Sequence, residues 1–157
     1  MLKDTRILSQ SKELTYKGIK IKKIPWFLWF VFNPRKRWGM ASHSQIYVSP
    51  KVYNYLITNS PDPLSIALLE HEITHLKRKR QLGESNHSRK YLLSRSFRLQ
   101  EELIADRAMM LYLKKRNLPF PIEKRAKKIS SVLYFSMISY SEAKLKLTKM
   151  WNTLKAS

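Results

Sequence analysis

The stretch LLEHEITHLK, residues 68–77, decides how this chain is read. It sets His71, Glu72 and His75 inside a run that otherwise reads as helix. Asp62 can cap that helix, and Pro63 falls in its first turn, where a missing N–H costs nothing. Gly83 can close it in a left-handed conformation. The basic residues at 77–80 sit in its last turns, where the helix dipole favours positive charge. The spacing predicts a helix over 63–82. At about 100° per residue, Ile66, Leu69, Ile73 and Leu76 make one apolar stripe. His71 and His75 lie nearly opposite it, one turn apart, so both imidazoles reach the same point. Leu64 and Leu68 share the histidine side, which is therefore not plain solvent-facing surface.

Two readings of that face stand side by side. In one, a charged helix face carries two solvated histidines. In the other, two neutral imidazoles at i and i+4 supply two of the three protein ligands of a catalytic zinc, and Glu72 takes a proton from its water. The stretch EELIADRAMMLYL, residues 101–113, offers the third ligand. It belongs to a second predicted helix, capped by Ser88, running to about residue 116 and stopped by Asn117 and Pro119. Leu92, Leu99, Leu103, Met110 and Leu113 form its apolar stripe, and Glu102 and Asp106 fall within it. Two carboxylates on a burying face are expensive unless paired or metal-bound. Glu102 as a ligand, with Asp106 accepting the outer N–H of a ligating histidine, explains both. The competing explanation is a pair of surface acids bridged to Arg98 or Arg107.

HEITH (71–75) followed by ELIAD (102–106) resembles the gluzincin metallopeptidases, in which HExxH on an active-site helix is followed by ExxxD on a glutamate helix. The ExxAD form is similar to the M48-like branch, and the small size to the compact minigluzincins. The resemblance spans about residues 38–115 by order of elements and two short blocks by motif. It implies an α+β, compact zincin-like domain: a small N-terminal β-sheet, the active-site helix, the glutamate helix and C-terminal helices. It implies a zinc-dependent endopeptidase holding one Zn2+ ion through His71, His75 and Glu102. Glu72 would be general base and then proton donor, and Asp106 would support a histidine. It likens the strand SQIYVS, with Gln45, Ile46, Tyr47 and Val48, to the upper-rim strand that binds extended peptide. Lys77 departs from the pattern, standing where such helices commonly carry an apolar residue. A group stabilising the oxyanion is not identified by motif; Tyr134 and Tyr140 are the candidates. A metzincin would need a third histidine at 81, and that residue is Gln81. His87 is expected in an interhelical loop within reach of a metal, and His43 in solvent.

The 157 residues suit one domain, mainly strands and turns over 1–60 and mainly helices over 61–157. ELTYKGIKIKKI alternates around Lys17-Gly18 and predicts a hairpin. IPWFLWFVF, residues 24–32, reads as a buried strand, with a membrane-interface anchor as the other reading. A short helix is expected over 50–58. Pro121 can start a third helix and Ser141 can cap a fourth, with Glu142 in its first turn. Leu145, Leu147, Met150 and Trp151 would face inward, unless residues 141–157 cover the cleft of a latent protease.

The chain has no cysteine, which excludes disulfides, thiolate zinc sites and a cysteine nucleophile. With no signal peptide at its start, it is expected in the cytoplasm. No stretch is long enough to span a bilayer as a helix. Net charge is +20, from 31 Lys and Arg against 11 Asp and Glu, and predicts attraction to polyanions. The rivals to a peptidase are therefore a basic nucleic-acid-binding protein and a peptide-binding regulator without turnover.

Overall fold

In the computed structural model, residues 8–10, 13–29, 33–42, 44–131 and 137–155 are described. Strands come first, β1 (Leu8–Gln10), β2 (Glu13–Tyr16), β3 (Ile19–Lys23), β4 (Gly39–Ser42) and β5 (Gln45–Val48). Helices follow, α1 (Pro50–Leu56), α2 (Pro63–Leu82), α3 (Glu84–Leu93), α4 (Arg95–Lys114), α5 (Ile122–Ser130) and α6 (Tyr140–Thr153). The expected α+β order, a small sheet and then helices, is what the chain adopts. It divides into two compact units, Met1–Leu76 and Lys77–Ser157, the boundary falling within α2.

In the first unit, turn chemistry sets the register. Lys17 and Gly18 both take positive φ, 51° and 75°, as a two-residue hairpin turn requires. The turn pairs β2 with β3 antiparallel, Leu14 opposite Ile21. The sheet runs β1-β2-β3-β5-β4, with β3 and β5 parallel. Alternation sends Ile46 and Val48 of β5 into the core, where both are fully buried. Leu14, Tyr16, Ile21 and Ala41 join them from the other strands, and α2 lays Leu69, Ile73 and Leu76 on the same core. Polar contacts pin the hairpin to this helix: Glu70 accepts from Tyr16 Oη at 2.5 Å and pairs with Lys17 at 2.6 Å. Asp62 caps α2 as expected, its Oδ2 accepting from Ser65 N at 2.8 Å.

Two expectations fail here. β5 lies between β3 and β4, so both backbone edges of Gln45, Ile46, Tyr47 and Val48 are spent on neighbouring strands. It cannot take an extended peptide as an added strand. The described part of the aromatic run 24–32 is not a buried strand either. Ile24 makes the last sheet bond, to Val48 O, and after Pro25 the chain curls into a 3-10 turn, Trp26–Leu28. Trp26 is 77% exposed and Phe27 56%. Residues 30–32 lie outside the described residues.

The second unit is helical, and its breaks are local. Ser94 is extended at φ −110° and ψ 111°, and its Oγ accepts from Phe97 N. The single helix expected from Ser88 is therefore two, α3 and α4, with Ser88 inside α3 and Ser94 as the cap. Gly83 has the expected positive φ, but its ψ of 128° leads straight into α3 instead of a left-handed cap. Asn117, at φ 55°, ends α4, and Leu118 N returns to Leu113 O. The cap of α6 is Ser139, not Ser141, in a reciprocal box with Glu142. α6 packs on α5 and touches α4. It buries Ala143 and Leu147, and Trp151 stacks on Phe120 with ring centroids 6.2 Å apart. Leu92 and Leu145, expected inward, are exposed.

These burials set a stability contrast. Leu69→Ala should lower unfolding free energy by about 2–5 kcal/mol in urea titrations, whereas Leu145→Ala should change it by less than about 0.5 kcal/mol.

Candidate metal centre

The regular i, i+4 geometry of α2 stacks His71 above His75, with Nε2 atoms 3.2 Å apart and rings at 80°. Two imidazole lone pairs cannot face each other at that distance without a proton or a cation to share. Both rings are buried, at 4% and 8% exposure, as is Glu72 at 6%. That burial removes the reading of this face as solvated. Room for Glu72 comes from β4: a Cβ on Gly39 would lie 2.9 Å from Glu72 Cγ and 3.2 Å from its Oε1. Gly39 was not picked out from sequence. Its only signal is that it is one of three glycines in the chain and stands inside a strand.

Glu102 and Asp106 lie one turn apart on α4, at 3% and 0% exposure. Glu102 Oε1 accepts from Tyr91 Oη, and Oε2 from Arg125 Nη2, each at 2.5 Å. Asp106 Oδ2 accepts from Arg125 Nε at 2.7 Å. The arginine that joins the two acids is thus Arg125 of α5, not Arg98 or Arg107. Arg98 is buried but donates to Tyr91 O and Leu92 O at the end of α3, and Arg107 is exposed. Sequence reasoning missed Arg125 and Tyr91, since neither lies near ELIAD along the chain.

His71, His75 and Glu102 each offer one ligand atom, and these atoms all lie within 4.8 Å of one another. This buried group can hold a metal ion. Neighbouring ligands around a tetrahedral zinc with bonds of about 2.0–2.1 Å stand roughly 3.3 Å apart, a spacing the two histidine nitrogens already have.

The other expected residues fall elsewhere. His87 is not in a loop: it is buried in α3, with Nε2 3.1 Å from Glu101 Oε2. Glu101, fully buried, also accepts from Arg78 Nη2 at 2.7 Å. Burial pushes the Glu101 carboxyl up, and the bonds from Arg78 and His87 outweigh this, holding it below its ordinary value. Tyr140 is exposed at the first residue of α6. Tyr134 and His43 lie outside the described residues. Among the described residues, no helix is long and apolar enough to cross a membrane.

Comparison with known protein families, with characterised proteins and with solved structures finds no match to this chain.

The Glu101 cluster has a pH signature. A carboxyl held below its ordinary value near 4.5 stabilises the fold above that pH, and loses the contribution as pH falls through the folded value. Thermal melts of Glu101→Gln should therefore show a lower Tm at neutral pH and a shallower decline in acid than the wild type. Parallel acid declines in the two proteins would contradict this.

Proposed function

We propose that this protein is a zinc-dependent endopeptidase of gluzincin type. The observation that carries the reading is the buried convergence of two imidazoles and a carboxylate beside a second carboxylate, Glu72. The donor set of two nitrogens and one oxygen suits zinc and leaves a position for water. Zinc bound there would acidify that water and polarise the scissile carbonyl. Glu72 accepts the proton of the attacking water as its oxygen adds to the carbonyl carbon. It then delivers that proton to the amine nitrogen as the C–N bond breaks. The burial of Glu72 keeps bulk water from competing for the proton, and Gly39 gives the carboxylate its place. The resemblance of HEITH and ELIAD to gluzincins supports the same chemistry. The absence of cysteine fits a cytoplasmic setting.

The net charge of +20 supports a second reading, a polyanion-binding protein whose metal site is structural. A peptide-binding regulator without turnover would hold the same zinc and cleave nothing. Metal content, casein cleavage and a salt-dependent gel shift separate the three.

Wild type should carry one zinc and cleave casein, and Glu72→Ala should keep the zinc and lose turnover. Equal cleavage by both proteins would overturn the mechanism. Gly39→Ala, whose methyl group displaces Glu72, should retain zinc and lose about 10–100-fold in kcat/KM.

A further inference from the structure

We propose that Tyr91 and Arg125 are positioning residues that fix the Glu102 carboxylate for the metal, and that α3, α5 and α6 are built around this clamp. The inference rests on the zinc reading above and adds the parts that hold its third ligand. Glutamate is a long side chain with several rotamers, and a ligand held on one side only would be ordered at the expense of metal affinity. Here each carboxylate oxygen has its own donor, Tyr91 Oη from α3 and Arg125 Nη2 from α5. A carboxylate has about four lone-pair sites, so one oxygen can accept from a donor and also face a cation.

Each donor is itself held. The Tyr91 ring stacks on His87, with centroids 5.9 Å apart and planes at 17°. The Arg98 guanidinium sits 5.6 Å from the same ring, and its Nε donates to Tyr91 O. His87 is tied to Glu101, and Glu101 to Arg78, so the buried cluster next to Glu102 serves as the back wall of Tyr91. Arg125 spans two acceptors with one planar fork, Nε to Asp106 and Nη2 to Glu102. It also leaves the trio with one net negative charge, where two bare carboxylates one turn apart would repel each other. The α5 helix that carries Arg125 is seated by Ala126 and Ile129, buried in the helical unit where α5 packs on α6.

Zinc affinity, by competition with a chromophoric chelator, tests the clamp in the full chain. Arg125→Met and Tyr91→Phe should each weaken zinc binding about 10–100-fold. Arg125→Lys, which keeps the charge but not the fork, should fall between wild type and Arg125→Met. Cobalt-substituted Tyr91→Phe should show altered visible bands, which a merely structural role would leave unmoved. Should Arg125→Met fail to fold, Tyr91→Phe carries the test, since it loses one hydroxyl. Folded variants with wild-type zinc affinity and wild-type cobalt spectra would overturn the clamp and leave the metal centre standing. A wild-type chain that takes up no stoichiometric zinc would overturn both.

Discussion

Two imidazole nitrogens buried 3.2 Å apart on one helix are the constraint on which the rest depends. Burial strips both rings of water, and the spacing demands a shared proton or cation. Other departures from ordinary packing accompany it. Glu72 is buried beside the rings with a glycine beneath it. Glu102 and Asp106 are buried carboxylates on a helix that also buries Ala105, Met110 and Leu113. Buried acids of this kind are weak contributors to stability, since desolvation offsets much of the attraction they gain. Here both are paired with Arg125.

The His71–His75 pair was legible in the sequence because its spacing is a local property, and Glu102 because a carboxylate on a burying face calls for a partner. An i, i+4 histidine pair on a helix converges whatever surrounds it, and α2 has the predicted bounds because Asp62 and Pro63 define its start. Turn chemistry was equally local, as Lys17-Gly18 shows. What could not be read were partners distant along the chain. Arg125 and Tyr91 reach Glu102 from α5 and α3, and nothing in ELIAD points to either. Gly39 meets Glu72 only because β4 folds back beside α2.

The misreadings have a common cause. The strand Gln45–Val48 alternates like an edge strand, but pairing with β3 on one side and β4 on the other is a matter of topology, invisible to alternation. The run after Ile24 is apolar enough for a strand, yet Pro25 turns the backbone away from the sheet and leaves Trp26 and Phe27 exposed. One serine, Ser94, splits the long helix expected from residue 88, and the break lets α3 carry Tyr91 to Glu102. A helix continued through that point would have carried Tyr91 along the axis of α4, without the return that makes the contact.

Zinc-edge X-ray absorption on the zinc-loaded wild-type protein tests the central claim most directly. The account predicts a four-coordinate site, with two imidazole ligands and oxygen ligands at about 2.0–2.2 Å, and loss of the imidazole signal in the double variant His71→Ala/His75→Ala. A shell of oxygens alone, or an imidazole signal that survives both substitutions, would contradict it.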